Sequence, residues 1–346
     1  MTGAFGPPAV DLAAYAVAVP AGVVERIRSA RRILSVSHEN PDADTLGASL
    51  ALVAIGEILG AQVTPVCADR PPALYDFLVG ADRVRQDPEA DVQYDLLVVS
   101  DCGVLERTGS VLERHRALLS ALPRVTLDHH LSSAASGDGD WIDPGAAATC
   151  EMIALLAHRL GVPLTAGDGA LATNLMAGIV MDTATFQHPN TTARTLTVGA
   201  ALLEAGAQLS EISRRLYRSK PTTQIRLFGR VLNRLESTSD GLVLWSTLLD
   251  DDLVLTDSRP SESEGIIDLM AQSTTAEVAI LFKEARTSTR VSVRTRPGGV
   301  DATALTGAFG GGGHARAAGA TVDLPLDAAR PLVLAEAERL ASFIVR

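Results

Sequence analysis

The sequence predicts an α/β protein with a parallel-sheet N-terminal domain followed by a smaller mixed α/β domain. The chain has 346 residues, which is more than one domain usually contains. Its hydrophobic fraction is 47% against 21% charged residues, which is enough to build a large core. Over roughly the first two hundred residues, short β-branched runs alternate with longer helical patterns. Because this alternation is typical of a parallel sheet covered by helices on both faces, it decides the fold class.

The N-terminal pattern predicts four strands and four helices within a domain of residues 1–205. The strands are short runs of branched apolar residues at 32–38, 62–68, 95–101 and 124–130. The helices are longer runs with apolar periodicity at 45–60, 148–161, 170–182 and 194–207.

The pattern changes after residue 205. Residues 206–235 are polar and helical, which suits a connector, and residues 236–346 are predicted to form the second domain. The strands predicted there are at 241–249, 276–285, 289–296 and 319–325, and the helices are near 264–272 and at 327–345.

Charge and composition restrict the partners. The formal net charge is −11, and aromatic residues make up 4% of the chain. Proteins that grip a long phosphate backbone usually present a basic surface, and single-strand binders stack bases on aromatic rings. We therefore expect no long duplex nucleic acid as a partner, whereas a small anionic substrate held through bound cations is compatible with this charge.

The cysteines and the apolar segments indicate a soluble, cytoplasmic protein. Cys67, Cys102 and Cys150 are widely spaced and form no CxxC pattern, as expected in a reducing compartment. The segment 12–24 resembles a secretion signal only faintly, because no basic residue precedes it. No uninterrupted apolar stretch is long enough to span a bilayer, so no membrane partner is expected.

Acidic and imidazole side chains follow three of the predicted strands. They are His38, Asp42 and Asp44 after the first strand, Asp101 at the end of the third, and Asp128, His129 and His130 at the end of the fourth. A further carboxylate, Asp182, ends a predicted helix. Because ligands of open α/β sheets bind beyond the carboxyl ends of the strands, these distant residues can converge on one pocket.

Four of these carboxylates, on Asp42, Asp44, Asp101 and Asp182, would repel one another in a shared pocket. Each like charge raises the pKa of its neighbours, and no Lys or Arg stands beside any of them in the sequence. Two divalent cations would resolve the conflict. Imidazole and carboxylate ligands without cysteine favour Mn²⁺, with Co²⁺ or Fe²⁺ as alternatives, whereas Mg²⁺ prefers oxygen ligands alone. We therefore predict a site for two Mn²⁺ ions per subunit, with Co²⁺ or Mg²⁺ as alternatives.

Taken singly, these residues also have structural explanations. An aspartate after a strand is often a helix N-cap, which is the alternative for Asp44, and His38 has a structural alternative as well. Asp128 is expected to hold a neighbouring imidazole in orientation rather than to touch a metal. The three motifs in this order nevertheless favour the metal site.

In these motifs the chain resembles the DHH phosphoesterase superfamily. The matching segments are HENPDADTLG, VVSDCG, TLDHH, MDTATF and FGGGGHARAAGA. The last segment, at 309–320, is similar to the signature of the DHH-associated C-terminal domain, which binds the nucleotide part of a substrate. The resemblance implies a DHH domain, a DHH-associated domain and a substrate cleft between them. The combination most resembles the branch of bacterial nanoRNases and adenosine 3′,5′-bisphosphate (pAp) phosphatases.

The resemblance also implies a role for each motif residue. It implies that His38 and Asp42 bind the first metal, that Asp44, His129 and Asp182 bind the second, that Asp101 bridges both, and that His130 contacts the substrate phosphate. Two residues depart from the family pattern. Asp268 stands where an amide-bearing residue is expected, and His188 stands where an aromatic is more usual. Either departure is expected to alter substrate preference rather than metal binding.

The activity implied by this resemblance is hydrolysis of short RNA and of pAp to nucleoside monophosphates. Some members of the branch also cleave cyclic-di-AMP or its linear product pApA. Two cations about 3.5–4 Å apart can hold a bridging water and lower its pKa, so we expect in-line attack by hydroxide without a covalent intermediate. A homodimer is implied by the resemblance alone.

The glycine run at 310–313 and the residues near it are candidates for substrate binding. A backbone without Cβ atoms at Gly311, Gly312 and Gly313 lets a phosphate or a base approach closely, and His314 is expected to donate to the substrate. The alternative is a flexible loop. Arg294, on a predicted strand, is either a guanidinium contact to substrate or a solvated surface residue.

Three other functions are weighed against this one. A family II inorganic pyrophosphatase would carry a basic phosphate-gripping segment where this chain has FGGGGH. A RecJ-like exonuclease would usually be longer, and the acidic chain suits long single-stranded DNA poorly. A non-catalytic nucleotide-binding module would have eroded metal ligands, yet all six positions hold competent side chains.

Overall fold

The structure, a computed structural model, describes residues 10–130 and 139–343. The chain divides into two compact units, Met1–Ser219 and Lys220–Arg346, and each contains one sheet. In the described ranges, no helix has both the length and the apolar character that a bilayer crossing requires.

The first unit is built on a five-stranded parallel sheet. Its strands are β1 Arg32–Val36, β2 Gln62–Val66, β3 Leu96–Ser100, β4 Arg124–Asp128 and β5 Asp140–Ile142. Their order is β2-β1-β3-β4-β5, and every pair is parallel. All residues of β3 are buried, as expected for a strand covered on both faces.

Within the described residues, eight α-helices accompany this sheet. They are α1 Ala13–Ala16, α2 Ala21–Ser29, α3 Ala43–Leu59, α4 Ser110–Ala121, α5 Thr149–Leu160, α6 Ala170–Asp182, α7 Ala193–Glu204 and α8 Leu209–Tyr217. Helices α3 and α6 are apolar around nearly their whole circumference, and both are buried for most of their length. A helix that is hydrophobic all round lies in a core, so these two helices form the centre of the unit.

Close packing of α3 against α6 depends on two glycines. A Cβ atom at Gly47 would lie 2.5 Å from the carbonyl oxygen of Asn174, and one at Gly178 would lie 2.5 Å from Oδ1 of Asp44. Neither neighbour is a flexible side-chain end that can move aside at little cost, because one is backbone and the other is a buried carboxylate. The contact between the helices therefore requires glycine at both positions.

The second unit is built on a six-stranded mixed sheet. Its strands are β6 Glu236–Ser237, β7 Val243–Leu248, β8 Val278–Glu284, β9 Thr289–Thr295, β10 Gly312–His314 and β11 Ala317–Val322. Their order is β10-β11-β9-β8-β7-β6, with β7 and β8 parallel and the other pairs antiparallel. The helices are α9 Thr222–Leu232, α10 Asp250–Thr256, α11 Ile266–Met270, α12 Ala302–Gly307 and α13 Leu326–Ala341.

The predicted fold class is confirmed, and the differences lie in short or polar elements. Strand β5 was not predicted, because three residues are too few to show a period. Helices α10 and α12 and strand β10 were not predicted either, and β10 lies inside the glycine run. The segment 206–235, predicted as one connector, is divided between the units, with α8 in the first and α9 in the second. Residues 344 and 345 of the predicted closing helix lie outside the described residues.

We predict that Gly47→Ala lowers the free energy of unfolding by about 1–3 kcal/mol, because the added methyl group meets a backbone carbonyl that cannot retreat. Gly229→Ala is the control, since a Cβ at this position in α9 meets no atom within 4 Å. That control should be neutral or stabilising by up to about 1 kcal/mol. Thermal and urea unfolding of the full chain measure both. Equal stability of Gly47→Ala and the parent protein would contradict the packing argument.

Candidate metal centre

Side chains from the three central strands of the first sheet meet at its carboxyl end. His38 lies two residues after β1, Asp101 directly follows β3, and Asp128 is the last residue of β4. The strands are parallel neighbours in the order β1-β3-β4, so their carboxyl ends lie at one edge of the sheet. The topology therefore brings together residues that are up to ninety positions apart in the chain.

Asp101 lies at the centre of the cluster. Its backbone is in the left-handed region with φ 62°, which is uncommon for residues other than glycine and best tolerated by Asp and Asn. Its N–H donates to the carbonyl of Leu127 at 2.8 Å. Oδ2 lies 3.3 Å from Nε2 of His38, and Oδ1 lies 3.5 Å from Nε2 of His129. One carboxylate thus contacts imidazoles that follow two different strands.

The cluster contains two groups of three residues. Within each group, the potential ligand atoms lie within 4.8 Å of one another. The first is His38, Asp42 and Asp101, and the second is Asp44, His129 and Asp182. A further group of the same kind contains Asp101, His129 and His130. The structure therefore brings together all six side chains that the sequence predicted as metal ligands.

Asp44 is fully buried and is held by the start of α5. Its Oδ2 accepts from the N–H of Thr149 at 2.7 Å, and its Oδ1 accepts from the N–H of Cys150 at 2.9 Å. These are donors that the first turn of a helix cannot use internally. Sequence reasoning missed both amides, because no spacing pattern connects positions more than a hundred residues apart.

The N-cap of α3 is Asp42, not Asp44. Oδ1 of Asp42 accepts from the N–H groups of Asp44 and Thr45, at 2.9 and 3.1 Å. Asp44 itself lies in the first turn, where its side chain faces α5 and the cluster. The structural alternative considered for Asp44 therefore applies to its neighbour, and Asp42 still presents an oxygen 3.9 Å from Nε2 of His38.

The electrostatics of the cluster are those of crowded carboxylates around imidazoles. Burial, followed by the charges of Asp182 and Asp101, raises the pKa of Asp44 well above its usual range. Burial and the charge of Asp101 also raise the pKa of Asp182. Burial lowers the pKa of His129, but its hydrogen bonds to Asp101 and Asp182 prevail and the net pKa is raised. Burial opposes ionisation of Asp101 too, yet hydrogen bonds from His129 and His38 hold its pKa below the usual value.

The donor set fits divalent cations. Within the described part of the chain, every ion pair made by the four carboxylates is with a histidine, and none is with Lys or Arg. Three imidazoles cannot neutralise four buried or half-buried carboxylates, even when all three are protonated. Carboxylate and imidazole donors without thiolate suit Mn²⁺ and related ions. The remaining negative charge is therefore what two bound cations would balance.

Asp128 contacts His130 and belongs to neither of the two groups of three. Its Oδ1 lies 2.7 Å from Nδ1 of His130 and also accepts from the backbone N–H of that residue at 3.2 Å. Asp128 is fully buried, whereas the His130 side chain is 38% exposed. A buried carboxylate thus fixes the orientation of an accessible imidazole, which is the role predicted for Asp128 from the sequence.

Comparison with known proteins identifies the family. Residues 32–180 match the DHH family, N-terminal domain, and residues 253–342 match the DHHA1 domain. The chain is 32% identical over 303 residues to the bifunctional oligoribonuclease and PAP phosphatase NrnA of Thermus thermophilus, covering 87% of this chain and 88% of the relative. It is 26% identical over 288 residues to the protein of the same name from Bacillus subtilis, covering 82% and 87% of the two chains.

The chain belongs to the DHH family. Among solved structures, an exopolyphosphatase-related protein from Bacteroides fragilis superposes with a TM-score of 0.82 at 20% identity, covering 93% of this chain and 96% of that one. At this identity the likeness shows the fold alone. The predictions of a DHH-type fold and of a metal-dependent hydrolase are thereby confirmed.

A buried ion-pair network lies next to the cluster of predicted metal ligands, on the side of His129. Nε of Arg194 on α7 donates to Oε1 of the fully buried Glu151 at 2.5 Å, and its Nη1 donates to Asp143 at 2.8 Å. Oε2 of Glu151 accepts from the N–H of Ala147 at 3.2 Å. The adjacent carbonyl of Ala146 lies 3.4 Å from Nδ1 of His129. The network thus fixes the loop that faces a predicted metal ligand.

The network was not predicted from the sequence, although the sequence contains a signal for it. Glu151 stands in the otherwise apolar run TCEMIALLA, and Arg194 begins the run RTLTVGAALL. Charged residues are rarely fully buried unless they are paired, so two charges within buried helices predict a partner. The identity of that partner depends on tertiary structure.

Apart from His130, the predicted substrate-binding residues lie in the second unit, which carries the DHHA1 domain. Arg294 is on β9 and His314 is on β10, and both are paired in register with Ala317 of β11. Residues that are paired across antiparallel strands point to the same face, so Arg294 and His314 share a face of the sheet. The departure residue Asp268 accepts from Nε of Arg294 at 2.8 Å. Asp268 therefore bears directly on a predicted substrate contact.

His188, the second departure from the family pattern, lies beside the predicted metal ligand Asp182. Nδ1 of His188 is 3.1 Å from the backbone carbonyl of Asp182, and Nδ2 of Asn190 donates to the same carbonyl at 3.3 Å. His188 thus contacts the main chain of a predicted metal ligand and not its carboxylate.

We predict that uptake of Mn²⁺ releases protons near neutral pH. In the metal-free protein, burial and neighbouring charges raise the pKa of Asp44, and hydrogen bonds to carboxylates outweigh burial to raise that of His129. Both groups must lose their protons to act as ligands, so affinity should rise with pH and fall on acidification. Isothermal titration calorimetry in buffers of different ionisation enthalpy counts the protons. Binding at neutral pH without proton release would contradict this.

We predict that Arg194→Met leaves the buried Glu151 carboxylate unpaired and destabilises the protein by about 3–5 kcal/mol. Arg194→Lys should recover part of that loss, since it keeps the charge but not both contacts. Arg214→Met is the control, because Arg214 pairs with Glu211 on an exposed helix surface. Thermal unfolding and the Mn²⁺ content of each variant report the effect. A melting temperature for Arg194→Met equal to that of the control would show that the network is dispensable.

Proposed function

We propose that the chain is a dinuclear-metal phosphoesterase that hydrolyses short oligoribonucleotides and pAp to nucleoside monophosphates, with Mn²⁺ as its metal. The observation that carries this proposal is the position of Asp101 between the two groups of ligand atoms. The names of the Thermus thermophilus and Bacillus subtilis relatives, both oligoribonuclease and PAP phosphatase, support the substrate assignment.

In this proposal, each group of donors would hold one cation. His38 and Asp42 would hold the first, Asp44, His129 and Asp182 would hold the second, and Asp101 would contribute to both. When bound, two such cations supply hydroxide from a coordinated water and draw charge from the phosphoryl oxygens. The chain itself supplies a rigid frame, because the Asp44 carboxylate is held by two backbone amides and cannot rotate freely.

His130 is the residue proposed to contact the phosphate of the substrate. Its Nδ1 is engaged by Asp128, so Nε2 is the nitrogen that can donate to a phosphoryl oxygen. Asp128 keeps the ring in place through this contact. From that position the imidazole can offset negative charge that develops on the phosphoryl group during in-line displacement.

The second unit is proposed to bind the nucleotide part through the sheet face that carries Arg294 and His314. Gly311 and Gly313 pack against β11 so closely that an added Cβ would lie 2.3 Å and 2.6 Å from main-chain oxygens. A Cβ at Gly312 would meet no atom within 4 Å, so its space is open. Two of the three glycines thus have a packing reason, and Gly312 is the one at which a ligand can approach the backbone.

Size and charge favour small substrates. With a net charge of −11, the chain has no basic excess to hold a long duplex. Linear pApA and cyclic-di-AMP present the same phosphate ester beside an adenosine, so they belong to the same candidate class. A pyrophosphatase, a RecJ-like exonuclease and a non-catalytic module are the alternatives that the same assay separates.

We predict that the protein with Mn²⁺ hydrolyses pAp and RNA of two to five nucleotides, and that Asp101→Asn lowers kcat/KM about a thousandfold. Asparagine tolerates the left-handed backbone at this position, so the variant should remain folded. Asp82→Asn, at an exposed aspartate in the same unit, is the charge-matched control and should behave as the parent protein.

The assay is product chromatography on pAp, short RNA, pApA, cyclic-di-AMP, pyrophosphate, duplex RNA and long single-stranded DNA, with circular dichroism to check folding. Hydrolysis of pyrophosphate alone would replace the proposal with its first alternative. Failure to hydrolyse any substrate in Mn²⁺ would favour a binding module. Asp101→Asn that retains more than about a tenth of the activity would remove Asp101 from its proposed role.

A further inference from the structure

Both faces of the second sheet carry buried apolar residues, and one of them also carries a row of charged and polar side chains. One face carries Ile280, Phe282, Val291 and Val293, which are buried in a core with α12 and α13. The register of β8 and β9 places the alternate residues on the other face. The charged and polar residues there are Lys283 on β8, with Arg290, Ser292 and Arg294 on β9. Ala279 and Leu281 of β8 lie on this same face, buried in a second apolar core with α9 and α11, so the charged row runs along β9 and the end of β8, beside the proposed Arg294 contact.

Lys283 and Arg290 stand directly opposite each other on this face. Like charges that are directly opposite in an antiparallel pair are destabilising, since their Cβ atoms are only about 5 Å apart. Within the described residues, neither side chain forms an ion pair shorter than 4 Å. Nζ of Lys283 instead donates to the hydroxyl of Ser263 at 2.9 Å. The two cations therefore face each other without a close counter-charge.

The charges around the pair do not balance it. The carboxylate of Glu264 attracts Lys283, while Arg290 and Arg294 repel it. Asp268 pairs with Arg294 at 2.8 Å and so offsets one of the three cations. Burial and the charge of Arg290 lower the pKa of Lys283, which is the electrostatic cost of this arrangement. A bound anion would remove that cost.

We propose that Lys283 and Arg290 form a second phosphate subsite, which binds the backbone of oligoribonucleotides beyond the nucleotide held at Arg294. The inference rests on the proposed function. Arg290 and Arg294 lie four residues apart on one strand and on one face, which corresponds to about 13 Å. An oligonucleotide with several phosphates can reach both positions.

A mononucleotide cannot use the second subsite while it occupies the first. The two phosphates of pAp are attached to one ribose and lie closer together than about 13 Å. Single-stranded substrates gain affinity from each phosphate that a cation neutralises, with a corresponding dependence on salt. The subsite therefore raises the affinity for RNA of several nucleotides and leaves that for pAp unchanged, which gives the enzyme a length preference.

The test is the double substitution Lys283→Met and Arg290→Gln in the full chain. Methionine retains the apolar stem of the half-buried lysine, so the sheet should stay intact. The control is Arg330→Gln with Arg339→Gln on α13, which changes the net charge equally on the opposite face of the same sheet. Both proteins are assayed in Mn²⁺ with pAp and with RNA of two to five nucleotides.

For the subsite variant we expect KM for the pentanucleotide to rise about tenfold, with kcat and both constants for pAp within twofold of the parent. The slope of log(kcat/KM) against log(salt) on the pentanucleotide should become shallower by about 0.7 for each phosphate that the variant no longer neutralises. The control variant should match the parent protein on every substrate. A parallel loss on pAp and RNA, or an unchanged pentanucleotide KM, would overturn the inference.

Binding measured without turnover separates this inference from the proposed function. Fluorescence anisotropy of a labelled pentanucleotide in the presence of EDTA should show about tenfold weaker binding by the subsite variant than by the control. If the parent protein hydrolyses no RNA, the proposed function fails, and this comparison alone decides whether the subsite exists. Equal dissociation constants for variant and control would refute it.

Discussion

The site depends on carboxylates held together against their mutual repulsion. Asp44, Asp101 and Asp182 occupy one buried region, where loss of water and like charge both oppose ionisation. Two features of the chain resist this repulsion. Imidazoles approach the carboxylates from the ends of β1 and β4, and the backbone amides of Thr149 and Cys150 bind Asp44. Positive charge from bound cations would complete the balance, in keeping with the metal-dependent character of the DHH family.

The fold holds these groups at fixed distances by several independent contacts. The parallel order of β1, β3 and β4 sets the spacing of the strand ends, and close packing of α3 on α6 sets the distance between Asp44 and Asp182. Behind them, Arg194 and Glu151 fix the loop that faces His129. Each support comes from a different segment of the chain, so the geometry of the cluster is over-determined, as a site held in a strained and charged arrangement requires.

How far the sequence predicts this arrangement depends on whether the signal is local. The strand ends could be predicted, because Asp101 and the triplet at 128–130 each follow a short apolar run, and parallel strands align their carboxyl ends. The partners of Asp44 and Glu151 could not, since both pairings join segments that only packing brings together. The glycine run also has a partner that no local pattern shows. Main-chain pairing with β11 makes residues 312–314 a strand rather than the flexible loop that was the alternative to a substrate-binding backbone.

Gly178 links the stability of the fold to the position of the Asp44 side chain, two properties that are usually independent. Replacing helix glycines with alanine is a common route to a more stable protein. Here the space that a methyl group would fill already contains a carboxylate oxygen of Asp44 and the sulfur of Cys150. A search for heat-resistant variants would therefore gain nothing at this position, because the usual stabilising change in a helix would displace Asp44, one of the predicted metal ligands.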